Sequence, residues 1–144
     1  MPSEIRRMVF FHSELADALR DFGKNYDVEF PDGKVIKASL ASKAEYELHT
    51  QVSQPAMPLA KEYNVKQLSN SIIVTFFDEA SFSHKYFNLA SDFISSALIH
   101  FCIQRKIPIP KAGRKKLDVT EFNICMDIVL DSDETANIQL ELEG

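Results

Sequence analysis

The chain has 144 residues, of which 45% are hydrophobic and 26% are charged, and its formal net charge is −5. The length fits one domain over residues 1–144, and the composition lies close to globular averages. Collagen-like, low-complexity and wholly disordered classes are therefore excluded.

The chain begins with a predicted strand and a predicted helix. Residues 5–11 form a short segment with bulky side chains, which favours a strand. The helix that follows has Ser13 as its expected N-cap and Gly23 near its end as a candidate C-cap. Residues 31–33 (Pro-Asp-Gly) predict a hairpin or another sharp reversal. Residues 45–52 alternate apolar and polar side chains, which indicates a strand with one solvated face.

The middle of the chain is interpreted as a connector followed by a buried strand. Residues 53–71 hold two prolines and show no clear apolar period, although 59–68 has the length and composition of a short helix. Residues 72–77 are continuously apolar and rich in β-branched and aromatic side chains. That composition is typical of a strand covered on both faces.

The last third of the chain predicts a long helix and a terminal hairpin. Apolar residues recur at three- and four-residue steps from Phe82 to about Arg105, which indicates an amphipathic helix. Two prolines, at 108 and 110, then end it. Residues 122–130 and 138–142 both alternate apolar and polar side chains, with an acidic turn between them. This pattern predicts a terminal antiparallel hairpin.

An internal repeat is indicated at an offset of 79 residues. The halves would be 5–52 and 72–143, each running strand, helix, aliphatic-x-aliphatic-Pro, basic segment and strand, joined by the connector 53–71. Two amphipathic helices that precede a proline also resemble each other by composition alone, so the sequence leaves duplication and coincidence open. The matching helical residues are Ala18, Leu19 and Phe22 with Ala97, Leu98 and Phe101.

These elements together predict an α+β fold, with a largely antiparallel sheet packed against two main helices and with the two repeat halves as a further hypothesis. Cys102 and Cys125 make no disulfide framework in a chain of this length. No apolar run reaches the roughly 18 residues that a membrane span needs. We therefore expect a reduced cytoplasmic protein that does not associate with membranes.

Motifs for catalysis or metal binding are missing from the sequence. It contains no glycine-rich nucleotide loop, no GxSxG and no HExxH, and its four histidines lack metal-ligand spacing. We expect no metal and no cofactor. Asp78, Glu79 and His84 stand at a predicted strand-to-helix junction, 78–84, where an enzyme could carry its site. Acids at a helix start also simply favour the helix dipole, so both interpretations stay open.

The most uneven feature of the sequence is its basic segment, residues 104–116, which holds six cations and no acid. It favours a surface for nucleic acid, a phosphorylated ligand or an acidic partner. Alternatively, the cations complement a helix C-terminus and pair with the acids that follow. The acidic net charge counts against general nucleic-acid binding. The six cations are Arg105, Lys106, Lys111, Arg114, Lys115 and Lys116.

The preferred functional hypothesis is a non-enzymatic protein-binding or regulatory module. It would engage another protein, or a second copy in a homodimer, through a sheet face, a strand edge or the basic segment. Aromatic residues crowd the region 76–87, and such residues are enriched in interfaces and pockets. The first alternative is a nucleic-acid-associated protein that uses residues 105–116, and the second is a small enzyme with a site near 78–84.

Overall fold

The computed structural model of the protein describes residues 3–40, 52–53, 71–110 and 113–131. Within these residues seven strands and two α-helices follow one another, and a single 3-10 turn, Lys24–Tyr26, comes after the first helix. The elements are β1 (Ser3–Phe11), α1 (His12–Gly23), β2 (Gly33–Leu40), β3 (Val52–Ser53), β4 (Ser71–Asp78), β5 (Ser83–Ala90), α2 (Ser91–Gln104), β6 (Arg114–Val119) and β7 (Asn123–Asp131).

The strands form two sheets. The first has the order β1-β7-β6 and is antiparallel throughout, with β1 paired to β7 from Ser3↔Asp131 to Phe11↔Asn123. The second has the order β2-β4-β5-β3, in which the first three strands are antiparallel and the two residues of β3 run parallel to β5. The predicted α+β class, with largely antiparallel sheets and two main helices, is confirmed.

The two helices pack against each other and against the inner faces of both sheets. Phe22, near the end of α1, contacts Phe93, near the start of α2, with ring centroids 5.3 Å apart. Asp17 of α1 lies 3.9 Å from Arg105, just after α2. The helices are therefore antiparallel, and α2 is buried continuously from Ser91 to Ile99. The buried cluster joins helix residues such as Leu15, Leu19 and Leu98 to sheet residues such as Phe10, Ile72, Val74, Phe76, Ile124 and Met126.

The prediction of one long helix from Phe82 is wrong for its first part. Residues 83–90 form β5, which pairs with β4 from Ser71↔Ala90 to Asp78↔Ser83, and α2 begins only at Ser91. The buried residues of β5, Phe87 and Leu89, are two positions apart, as in a strand with one covered face. Their spacing to later apolar residues also fits a helix, and pairing with β4 decides between the two.

The first helix differs from the prediction at both of its caps. The N-cap is Phe11 rather than Ser13, and the backbone N–H of Phe11 donates to the Glu14 carboxylate at 2.9 Å. A carboxylate there satisfies a free donor at the helix start and favours the positive end of the helix dipole. The helix ends at Gly23 as its last residue, and Lys24 is the C-cap.

The remaining predicted elements are placed differently or lie outside the described residues. The reversal at 31–33 leads from the loop after α1 into β2, and no strand precedes it within residues 24–32. β7 lies between β1 and β6 and forms a hairpin with β6. The predicted elements at 45–51, 59–68 and 138–142 lie outside the described residues.

The strand order is relevant to the predicted repeat. Each sheet draws strands from both predicted halves, because β1 pairs with β7 and β2 pairs with β4. The offset of 79 places His12, the first residue of α1, on Ser91, the first residue of α2. Descent from one duplicated unit stays a prediction, as does the single domain. No helix within the described residues is both long enough and apolar enough to cross a lipid bilayer.

Candidate functional site

The basic segment begins at the end of α2, where its first cations contact the protein itself. The guanidinium carbon of Arg105 lies 3.8 Å from the centroid of the Phe101 ring, and its Nη2 is 3.9 Å from the Asp17 carboxylate. Lys106 is exposed and adopts a positive φ of 57° as the chain leaves the helix. Stacking on an aromatic ring and an ion pair both tie Arg105 to the helix pair. Lys111 lies outside the described residues.

The cations of β6 point to opposite faces of the sheet. Arg114 and Lys116 are exposed, whereas Lys115 is buried and its Nζ donates to the Gly113 carbonyl at 3.4 Å. Successive side chains of a strand alternate between faces, so these three cations cannot converge on one anion. The structure therefore brings together Arg114 and Lys116 but separates them from Lys115. The basic segment does not form a single patch within the described residues.

The face that carries Arg114 and Lys116 belongs to the β1-β7-β6 sheet and is turned away from the helices. We call it the open face, and it consists of the residues on this side of the three strands. Backbone pairing aligns these residues in rows across the sheet, and each row takes one residue from β1, β7 and β6. The rows are Ile5–Val129–Arg114, Arg7–Asp127–Lys116 and Val9–Cys125–Asp118, and Phe11–Asn123 follows at the end of the sheet.

An ion pair occupies the middle of the open face. Arg7 donates to Asp127 through Nε at 2.7 Å and through Nη2 at 2.8 Å, and its Nη2 also reaches Asp118 at 3.3 Å. These bonds raise the pKa of Arg7 and lower the pKa of Asp127. Lys116 is paired with Asp127 across the strands and adds to the lowering. A bidentate arginine–carboxylate pair has a defined geometry, so the centre of the face is ordered.

Apolar side chains along β1 flank this ion pair. Ile5 is 65% exposed, Val9 is 48% exposed and Phe11 is 62% exposed. Phe122, in the turn before β7, is 73% exposed and precedes Asn123, the partner of Phe11. Single exposed apolar residues are ordinary, but several on one sheet face beside a polar rim are typical of a binding surface. The apolar patterns predicted β1 and β7 but not this surface. The surface depends on which side of the sheet the helices cover, and the patterns do not show that.

Lowering the pH is expected to weaken the folded state through Asp127. Its two bonds from Arg7 hold the pKa of Asp127 below the ordinary value of 3.8. A carboxylate whose pKa is depressed by folding stabilises the protein above its unfolded-state pKa, and this stabilisation is lost as the pH falls through the folded-state pKa. We expect the free energy of unfolding to fall more steeply for the wild type than for Asp127→Asn between about pH 5 and about pH 2.

Urea unfolding at several pH values measures how steeply the free energy of unfolding falls with pH. The matched control is Asp32→Asn, which changes an exposed acid outside the β1-β7-β6 sheet. The control should follow the wild type. Parallel curves for the wild type and Asp127→Asn would contradict a depressed Asp127 pKa.

The region proposed for an enzyme site is a hairpin turn and not a strand-to-helix junction, because β5 and not a helix follows residues 79–82. Asp78 accepts from the Ala80 N–H at 3.0 Å, and its other oxygen lies 2.8 Å from Lys85 Nζ. Both contacts help to lower the pKa of Asp78, whereas a general base at neutral pH needs a raised carboxyl pKa. Asp78 therefore stabilises the turn, and His84 lies exposed on β5 beside it.

An open cleft of about 600 Å³ adjoins this turn, lined in part by Glu29, Asp32, Asp78 and Lys85.

The two cysteines lie elsewhere in the fold. Burial raises the pKa of the Cys102 thiol to about 11 and also raises the pKa of the Cys125 thiol, which keeps both thiols in the unreactive protonated form. Across residues 3–40, 52–53, 71–110 and 113–131, no three His, Cys, Asp or Glu side chains are grouped so as to hold a metal ion.

No protein-family model, no curated protein and no solved structure matches the chain. The basic segment is divided between two faces, and the carboxylate of the 78–84 turn is engaged by Lys85 and Ala80. The open face combines exposed apolar side chains with an ordered charged centre, and it is the strongest candidate for a functional surface.

Proposed function

We propose that the protein is a non-enzymatic protein-binding module and that the open face is its contact surface. The observation that carries this proposal is the exposure of Ile5, Val9 and Phe11 on one side of a single strand. Removing such side chains from water is the main favourable contribution to protein association. The central Arg7–Asp127 pair would add orientation, because charged groups at an interface contribute more to specificity than to affinity.

The backbone under this surface supports the proposal because it is held in place before any partner arrives. β1 is paired to β7 over all nine of its residues, without a bulge. A surface that is already ordered loses little conformational entropy on binding. Arg114 and Lys116 lie on the β6 side of the same face together with Asp118, so the apolar side chains stand along β1 and two cations and one acid stand along β6. This arrangement suits a partner with an apolar segment beside acidic side chains.

Replacing Val9 with threonine and Phe11 with serine in one variant is expected to weaken partner binding at least about tenfold, because the variant removes exposed apolar area from the contact surface. Both side chains are about half exposed or more, so the fold should persist. The measurement begins with proteins captured from an extract of the source cells. Each captured protein is then purified, and its affinity for the wild type and the variant is measured by calorimetry.

The matched control is Phe82→Ser, which removes a phenylalanine that is 81% exposed in the β4–β5 turn. This turn lies on the other sheet, so the control should bind as the wild type does. A purified partner that binds the wild type and the Val9→Thr, Phe11→Ser variant equally would contradict the open face as the contact surface.

A further inference from the structure

We propose that two copies of the chain pair through the free edge of β1, which joins their three-stranded sheets into one six-stranded sheet. The proposal rests on the proposed function, because it names a second copy as the partner at the β1 side of the open face. β1 lies at the end of the order β1-β7-β6, so one of its edges is paired to β7 and no described strand is paired to the other. An unpaired edge offers backbone donors and acceptors to another strand.

The other outer strands of the two sheets are protected in the ways that natural proteins use. β2 is irregular between Val35 and Lys37, where Ile36 has no partner in β4. β5 pairs with β3 through Tyr86 and Phe87, two of its eight residues. β6 carries three consecutive cations, 114–116, at the opposite edge of the first sheet. Bulges, covering strands and lysines on an edge all hinder pairing with another chain.

Within the part of the chain that the structure describes, β1 is neither bulged nor paired to a further strand at its outer edge. Its register with β7 is regular from end to end. It does contain two cations, Arg6 and Arg7, but both have acidic partners within the chain. Arg6 lies 3.5 Å from Glu4, and Arg7 is held by Asp127 at 2.7 Å. Their charges are therefore compensated where a second strand would approach.

The sequence of β1 selects among the registers of a symmetric pair. A two-fold axis normal to the sheet runs the strands antiparallel and keeps each side chain on its own face. An axis at Arg6 or Arg7 would place that cation opposite its own copy, which is destabilising. Within the described strand, an axis at Ile5 would pair only residues 3–7 and leave Phe11 unpaired, and an axis at Val9 would pair only residues 7–11 and leave Ile5 unpaired.

An axis at Met8 avoids these penalties and pairs residues 5–11 of both copies. Ile5 then lies opposite Phe11 of the second copy, and Arg7 lies opposite Val9 of the second copy. The pairing sets Ile5, which is 65% exposed, beside Phe11, which is 62% exposed, and sets Val9, which is 48% exposed, beside Arg7, so that part of each apolar side chain is buried. Aromatic residues opposite β-branched residues are favourable cross-strand pairs. We therefore assign the register that is centred on Met8.

The first test is the mass of the full chain in solution, measured by light scattering and sedimentation over a range of concentrations. A dimer is expected for the wild type and for Phe82→Lys, the control on the other sheet. Ile5→Glu should weaken the dimer at least about tenfold, because it places an anion against an apolar partner. The double variant Ile5→Glu, Phe11→Lys should recover dimerisation, because residue 5 then meets an opposite charge at residue 11 of the second copy.

The second test measures the register by cross-linking. Ile5→Cys and Phe11→Cys are made as separate variants, then oxidised alone and in a mixture. Directly opposed residues have Cα atoms about 4.5 to 5.5 Å apart, which suits a disulfide, whereas two copies of residue 5 would be about 20 Å apart. A disulfide dimer should form in the mixture and not in either variant alone. Each single variant also contains Cys102 and Cys125, so the single variants show whether these two cysteines cross-link the copies.

A wild type that stays monomeric at its highest soluble concentration overturns the proposal, and so do equal disulfide yields in the mixture and the single variants. If the wild type is monomeric while Val9→Thr, Phe11→Ser loses a purified partner, the pairing is wrong and the proposed function stands. If the dimer forms with the expected disulfide but no other protein depends on Val9 and Phe11, the pairing stands and the open face serves self-association alone.

Discussion

Replacing Phe22 with alanine is expected to lower the free energy of unfolding by about 3 to 5 kcal/mol. Phe22 is fully buried where the two helices meet. Its ring centroid lies 5.3 Å from that of Phe93, 5.2 Å from that of Tyr26 and 5.5 Å from that of His100. Alanine would remove the transfer free energy of the ring and leave a cavity that rigid neighbours fill only in part.

Urea unfolding of the wild type and Phe22→Ala measures this loss, and Phe82→Ala is the matched control. Phe82 is 81% exposed, so its replacement should change the free energy of unfolding by less than about 1 kcal/mol. Equal losses in the two variants would show that Phe22 does not join the helices as described.

Replacing Gly33 with alanine is expected to cost at least about 2 kcal/mol, although it adds only one methyl group. Gly33 is the first residue of β2 and pairs with Asp78 of β4. A Cβ atom built at this position would overlap the carbonyl oxygen of Phe77. That oxygen belongs to the backbone of β4, so it cannot turn aside as a flexible side chain would, and the strands must move apart.

The same movement would disturb the loop before β2, because the Gly33 carbonyl accepts from Arg20 Nη1 at 3.0 Å. Thermal and urea unfolding measure the effect, with Asp32→Ala as the control at the exposed neighbouring residue. The control should stay within about 0.5 kcal/mol of the wild type. A Gly33→Ala variant as stable as the control would mean that β2 and β4 do not approach closely at this point.

Local patterns were sufficient for several elements and for the fold class. Residues 72–77 are continuously apolar, and the structure places them in β4, which lies inside its sheet. The alternation over 122–130 predicted β7. In both cases the pattern is created by burial of the same strand, so it can be read without knowing the neighbours.

Elements whose apolar spacing fits both a strand and a helix could not be assigned from local patterns. The spacing of Phe87, Leu89 and Phe93 fits both a strand and a helix, and the hydrogen-bonding partner β4 makes residues 83–90 a strand. β6 was missed because its charged residues conceal the alternation of Leu117 and Val119, which becomes evident once β6 is paired with β7. Such pairings are set by residues distant in the chain.

By itself, the sequence determined the α+β class, the positions of β1, α1, β4 and β7, and the extent of α2 after its first turn, because apolar periodicity records which side of each element is buried. It also showed the uneven distribution of charge. Only the tertiary structure placed Arg7 beside Asp127, 120 positions further along the chain, and divided the basic segment between two faces. The open face likewise depends on strand order and helix cover, and long-range packing sets both of these because local periodicity does not encode which strands become neighbours.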